Sequence, residues 1–428
     1  MIEIILITIY SGLCLVKDKR WIVCSLIVLF PSHLFLKQII ELYTGKVSIF
    51  PLWYDIAIFI LLFKLIIKRH QKITYGISLF IFILILCCQL VFSYFSGHIE
   101  PDAIATLRIY LHCISLFIIF SIINFNITDY KIIGKTFILA TIFYCIIGII
   151  IYFFFQQEFH LILGHIEFGS HGIKYSSPSF LIMGYERMFG LVGGPNQFGV
   201  YLGFTIICLF YIHHYLNHSS LPFINLAFIL SIICIILTFS RAGWAIVAIT
   251  LTCLYLNNGN IYKTISFFLK IAILLCIILI IINFFANETY NIILSSINGK
   301  EDSAAARGDI VKHGFSEIAN NIYGHGLGSG IEENGSPISE SSIIICLYEL
   351  GVFTTIFYYA LIFIIAYKIL KQKNTYSKIV FFFVIATIIT SIVSMNPFQY
   401  PYIYYFWSAL GMATNKNNIN YLKSTKYE

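Results

Sequence analysis

Residues 272–285 read AILLCIILIIINFF and residues 379–394 read IVFFFVIATIITSIVS, and these two stretches decide the fold class. Both are almost wholly Ile, Leu, Phe, Val and small residues. Similar runs, many near the roughly 20-residue length that crosses a bilayer as a helix, recur along the whole chain. The run at 342–366 is more mixed, with Glu349, Gly351, Thr354 and Thr355, yet it is still predominantly apolar. Of the 428 residues, 59% are hydrophobic and 11% charged, against roughly 25% charged in a soluble globular domain. No soluble core needs this much hydrocarbon. The sequence therefore specifies an all-α, polytopic transmembrane helical bundle, a single integral membrane domain over residues 1–428. The first run, 2–16, carries Glu3 where a signal peptide carries basic residues and has no small-residue cleavage site, so it reads as a retained span.

Candidate spans fall at 2–16, 21–42, 50–67, 74–95, 104–124, 131–155, 197–217, 222–239, 242–257, 263–286, 342–370, 377–394 and 400–413, about 12–13 helices. Lys and Arg in the loops give the orientation. Lys17, Lys19 and Arg20, then Lys68, Arg69 and Lys72, then Lys368, Lys371, Lys373 and Lys378, then Lys416, Lys423 and Lys426 all fall on one side if alternate loops are cytoplasmic. That places the C-terminus inside and the N-terminus outside. Two long polar segments then face outward, 156–196 and 287–341. The net charge of +7 is scattered among short loops without a basic, aromatic-interleaved tract, which sets nucleic acid aside. The 11 cysteines lie in apolar runs and read as small buried hydrophobes. No His-Glu-X-X-His, Cys-X-X-Cys or Gly-X-Ser-X-Gly pattern occurs, and the reading assigns no metal and no cofactor.

Three of the six arginines, Arg187, Arg241 and Arg307, sit on the outer side. Arginine suits bidentate binding of phosphate and keeps its charge near lipid, but it also serves as a plain helix anchor or carboxylate partner. Arg108, near Glu100 and Asp102, is assigned the anchoring use. Arg187 precedes Gly193-Gly194-Pro195-Asn196, where Asn196 is placed to cap the next helix and a helix N-terminus offers N–H groups to an anion. Arg241 follows Thr238-Phe239-Ser240 at a tight junction between apolar runs, a costly place for a charge unless it faces a cavity or a partner. Residues 303–319 can form a short amphipathic helix with Arg307 near its start. The run Gly324-His325-Gly326-Leu327-Gly328-Ser329-Gly330 follows. Gly326 and Gly328 can bring backbone N–H groups close to phosphate, although this is no Walker motif. His325 reads as an acid, a base, a sugar contact or an ordinary loop histidine. Glu340 is placed either to cap the next helix or to take a proton from a sugar hydroxyl. Glu349, further into that span, reads as a structural partner or a functional carboxylate.

Taken in order, these features resemble the bacterial O-antigen polymerase and O-antigen ligase superfamily. The resemblance rests on Arg187 with its Gly-Pro-Asn stretch, Ser240-Arg241, Arg307 leading to Gly324–Gly328, Glu340-Ser341 and Glu349-Leu350-Gly351, and covers residues 185–365. It implies glycosyl transfer at the outer face of the bacterial inner membrane. An undecaprenyl-pyrophosphate-linked oligosaccharide would be donor, the lipid pyrophosphate the leaving group and a sugar hydroxyl the acceptor. Arginines would neutralise the developing charge and a carboxylate or histidine would assist the hydroxyl. It also implies membrane lipid and a chain-length regulator as partners. Ligases of this superfamily typically carry a histidine where this chain has Ser339-Glu340-Ser341-Ser342, so the Glu-Ser form resembles a polymerase. The expected catalytic residues are Glu340, Arg241, Arg307 and His325. The expected substrate-binding residues are Arg187, Asn196, Gly326, Gly328 and Glu349. A flippase would distribute polar residues through many spans, whereas here they concentrate in the outer segments.

Overall fold

The computed structural model describes residues 2–68, 75–95, 101–169, 172–175, 180–182, 185–215, 223–257, 316, 318, 321–330, 339, 341–392, 394 and 400–415. The helices are α1 (Ile2–Val16), α2 (Lys19–Leu29), α3 (His33–Thr44), α4 (Leu52–Lys68), α5 (Gly76–Phe95), α6 (Pro101–Ile122), α7 (Ile127–Ile150), α8 (Gln156–Ile162), α9 (Pro195–Tyr215), α10 (Ile224–Leu237), α11 (Arg241–Asn257), α12 (Ser342–Leu370), α13 (Thr375–Ser391) and α14 (Tyr402–Thr414). A π-helical turn, Ile151–Phe155, joins α7 to α8, so the helical rod enters the first outer segment. Two short antiparallel hairpins follow there, Ile166–Gly169 with Gly172–Tyr175 and Leu181–Ile182 with Tyr185–Glu186.

Among the described residues, five helices are long and apolar enough to cross a membrane, six if a bent pair counts as one span. Large side chains such as Phe59, Ile77 and Phe353 point outward from the bundle, which only a lipid surround makes tolerable. Cys87 and Cys88 are exposed in this way too, a correction to their reading as buried, whereas Cys14, Cys113, Cys145, Cys234 and Cys346 are buried. The expected span 21–42 is also corrected. It breaks after Leu29 and α2 meets α3 at 68°. Pro31 at the break lacks an N–H and its ring clashes with a continuing helix. The span expected at 263–286 and the amphipathic helix at 303–319 lie outside the described residues, apart from Ser316 and Ile318.

Polar contacts between helix ends tie the basic loops to one end of the bundle. Arg20 pairs with Asp129 at 3.3 Å, and Lys64 donates to the Lys17 carbonyl at 2.7 Å. The Asn415 amide donates to the Ile123 carbonyl at 2.8 Å, and Gln372 to that of Ala413 at 3.2 Å. At the opposite end Glu3 accepts the Ile49 N–H at 2.8 Å, joining the start of α1 to the approach to α4. The charge pattern and the contacts give the same arrangement of helix ends.

Close packing at one crossing fixes the helix that follows the first outer segment. α9 and α11 meet at Gly199, Gly203 and Gly243. A Cβ on Gly243 would stand 2.3 Å from the Gly199 carbonyl oxygen, and one on Gly199 would stand 2.2 Å from the Ser240 Cβ. Gly199 and Gly203 are spaced four apart on one face of α9, the small-residue pattern that lets membrane helices approach backbone to backbone. α11 also packs on α13, and α14 runs along α6.

Candidate functional site

The first polar centre forms where the segment after the hairpins meets the α10–α11 junction. α10 ends at Leu237 with Thr238 as its cap, Phe239 turns back with a left-handed φ of +50°, and α11 begins at Arg241. Ser240 is buried, and its hydroxyl accepts the Gly243 N–H at 3.4 Å, capping α11. The Trp244 indole closes the turn by donating to the Ile235 carbonyl at 2.9 Å. Arg241 itself is exposed at the head of its helix.

Arg187 is only 7% exposed. Its Nε donates to the Thr238 carbonyl at 2.9 Å and a terminal nitrogen donates to the Asn196 Oδ1 at 2.8 Å. Its backbone is held as well. The N–H donates to the Phe180 carbonyl at 2.9 Å, and its own carbonyl accepts the Gln156 amide at 3.1 Å. Thus three separate sequence features, Arg187, Asn196 and the Thr238–Arg241 turn, meet in one place. The role expected of Asn196 as helix cap is corrected. Pro195 is the first residue of α9, where its missing N–H costs nothing, and Asn196 inside the first turn faces Arg187.

The second centre is a break inside α12. Gly351 has φ +76° and ψ 171°, which no helix accommodates, and the chain 321–330 docks against the gap. The N–H groups of His325 and Gly326 donate to the carbonyls of Tyr348 and Glu349 at 2.7 and 3.0 Å, and the Val352 N–H donates to the Ile322 carbonyl at 2.9 Å. Backbone groups freed by the break are thereby satisfied within protein, as the membrane requires. The Gln89 amide of α5 donates to the Leu350 carbonyl at 3.0 Å, and the Ser93 hydroxyl lies 3.4 Å from that of Leu327. Glycine is demanded by proximity: a Cβ on Gly326 would sit 2.4 Å from the Ser93 Oγ, and one on Gly324 2.4 Å from the Gly351 nitrogen.

The expected residues His325, Gly326, Gly328 and Glu349 all gather here. The Glu349 carboxylate, 4% exposed, accepts the Gly330 N–H at 3.2 Å. His325 stacks on Tyr348 with ring centroids 4.1 Å apart. Gly326 gives its N–H to the Glu349 carbonyl rather than leaving it to face outward. Arg307 and Glu340 lie outside the described residues.

Sequence reading missed Gln89 and Ser93, which stand more than two hundred residues from their partners, so local spacing carries no signal for them; it named Thr238 without the carbonyl contact to Arg187. Arg108, assigned the anchoring use, pairs with the carboxylate of Asp55, which in turn contacts His112. In the outer segment, burial against Phe180 and Phe189 pushes the His165 imidazole down to about 4. Among the described residues no three His, Cys, Asp or Glu side chains are close enough to hold a metal ion.

No curated protein matches the chain. Residues 226–359, which include both the α10–α11 junction and the α12 break, match a family model described as O-antigen ligase. The matched segment contains Ser240-Arg241 and Glu349-Leu350-Gly351, and it is consistent with the resemblance of this multi-pass membrane protein to the O-antigen polymerase and ligase superfamily.

Proposed function

We propose that the protein polymerises undecaprenyl-pyrophosphate-linked oligosaccharide repeat units by metal-independent glycosyl transfer at the outer face of the bacterial inner membrane. The observation that carries the reading is an exposed arginine, Arg241, at the head of α11, held on a junction that falls within the matched segment. A guanidinium beside a helix N-terminus is suited to a pyrophosphate leaving group, because both supply positive potential and N–H donors to phosphate oxygens. Arg241 and Arg307 stabilise the charge that develops as the sugar–phosphate bond breaks. Glu340, with His325 as a second acid–base group, takes the proton of the attacking hydroxyl. Glu340-Ser341, standing where ligases of the superfamily typically carry a histidine, supports polymerase over ligase.

The description of the matched family favours a second reading, ligation of finished polymer to lipid A core. Deleting the gene and resolving surface polysaccharide and lipid-linked intermediates by gel separates the two. Loss of a polymerase leaves core capped with single repeats, whereas loss of a ligase leaves polymer stranded on its lipid. Repeats trapped on the inner side would instead mark a flippase. Complementation with Arg241→Lys tests the site, since lysine keeps the charge and loses the planar fork. Shortened or absent polymer is expected, and full-length polymer would remove the pyrophosphate role of Arg241.

A further inference from the structure

We infer that Arg187 is a positioning residue for Arg241, acting through the α10–α11 junction rather than on the substrate. The inference rests on the reading of Arg241 as a phosphate contact. It departs from the sequence expectation, which placed Arg187 itself on the substrate.

The guanidinium is buried and spans two helix ends. One arm meets the Thr238 carbonyl at the C-terminus of α10, and the other meets Asn196 in the first turn of α9. The C-terminal carbonyls of a helix carry partial negative charge, so a cation placed there is stabilised where it stands. Turning the side chain toward an outside anion would strip both contacts. The backbone resists rotation as well, held by Phe180 and Gln156, while the neighbouring Met188 N–H donates to the Leu237 carbonyl at 3.1 Å. Arg187 thus clamps the last turn of α10 from two successive residues.

What the clamp holds is a strained turn. Phe239, immediately after Thr238, adopts the left-handed backbone that a bulky side chain disfavours, so the surroundings must impose it. Ser240 follows, wedged against Gly199 of α9, and Arg241 is next. The α9 contact through Asn196 and the α9 contact through Gly199 set the two sides of the turn on the same helix. Releasing Arg187 frees one side, and the direction in which Arg241 leaves the turn changes with it.

The test uses full-length protein in proteoliposomes, with lipid-linked oligosaccharide extracted from a deletion strain as substrate. Arg187→Gln, Arg187→Lys and Asn196→Ala are compared with Arg241→Gln and with the Arg187→Gln, Arg241→Gln double variant. The expected result is turnover lowered roughly tenfold to a hundredfold in both Arg187 variants with KM nearly unchanged, as for a misplaced group. Asn196→Ala falls in the same direction, and Arg187→Gln has no further effect once Arg241 is gone. Arg187→Lys supplies the same comparison should Arg187→Gln fail to fold. In parallel, the rate at which a membrane-impermeant maleimide labels an Arg241→Cys thiol is measured with Arg187 intact and with Arg187→Lys. A severalfold change is expected. A raised KM with unchanged turnover, activity retained by Arg187→Lys, or additive losses in the double variant would each overturn the inference, and so would an unchanged labelling rate. Full activity in Arg241→Gln would instead remove the phosphate reading of Arg241, and labelling alone would then decide whether Arg187 sets its position.

Discussion

Gly351→Ala should expel the 321–330 segment from α12, and the size of the effect follows from two separate penalties. The backbone at φ +76°, ψ 171° lies in a region essentially reserved for glycine, which costs an alanine about 1–3 kcal/mol. The added Cβ would also lie 2.4 Å from both the carbonyl carbon and oxygen of Tyr323, with the Ile322 oxygen at 2.7 Å. These are backbone atoms that cannot rotate away, and such overpacking costs about 1–3 kcal/mol. The sum, about 2–6 kcal/mol, is relieved if α12 straightens and the segment leaves. The donations from the His325, Gly326 and Val352 N–H groups are then lost together. Even about 2 kcal/mol changes the docked-to-undocked ratio roughly thirtyfold. Hydrogen exchange of these amides, measured in lipid nanodiscs, should accelerate by at least that factor while amides in α6 and α14 stay protected. Gly12→Ala is the control, because no atom lies within 4 Å of its Cβ. Unchanged exchange at 325, 326 and 352 would refute the view that the break exists to receive this segment.

Glu349→Gln should leave the docked segment in place, since an amide oxygen still accepts the Gly330 N–H. Glu349→Ala should destabilise it by about 1–3 kcal/mol, the cost of an unmet buried donor, read as faster exchange at Gly330. Gly243→Ala should lower thermal stability by about 1–3 kcal/mol, because its Cβ meets the Gly199 backbone at 2.3 Å. A melting temperature equal to wild type would show that α9 and α11 separate freely. For His165 the folded state holds the imidazole at about 4, below the 6.5 of the unfolded chain, so unfolded protein takes up the proton first. The stability it contributes is intact above pH about 6.5 and is lost as pH falls toward about 4. His165→Phe, which leaves the facing His160 in place, should flatten the loss of melting temperature between pH 7 and pH 5. An unchanged slope would show that His165 does not drive it.

The helical, apolar character was legible because hydropathy is a local property that a bilayer reads one segment at a time, and among the described residues five helices are long and apolar enough to cross. The α2–α3 break was signalled by Pro31, yet the apolar run through it outweighed one residue, and a proline in a membrane helix ends it only when neighbours take up the freed groups. Here the carbonyls freed at the end of α2 are taken up, that of Val28 by the Tyr144 hydroxyl and that of Leu29 by the Ser32 hydroxyl. The arginine centre was half legible. Arg187, Asn196 and Arg241 stood out as polar residues in apolar company, but local rules made Asn196 a cap and could not know that Arg187 would reach it. The glycine-rich run was legible as a place of close backbone approach and not as to what approaches. The neighbours found are Ser93, Glu349 and Gly351, all supplied by other elements.

The two centres share one physical logic. Each is a helix interruption in or near hydrocarbon, and each is made tolerable by glycine-mediated backbone contact with a second element: Gly199 beneath Ser240, Gly326 against Ser93, Gly324 against Gly351. Interruptions of this kind cannot slide, because shifting either partner by one residue would leave buried N–H and C=O groups unmet in a medium that supplies none. The side chains mounted on them, Arg241 at one and His325 and Glu349 at the other, are therefore placed by backbone geometry as well as by neighbours such as Tyr348 and Gly330. The part of the chain matched to the family, 226–359, contains both interruptions, while Arg187 and the Asn196 that receives it lie before it. The charge-bearing turn and the broken helix thus fall inside the matched segment, and the clamp proposed for the turn comes from outside it.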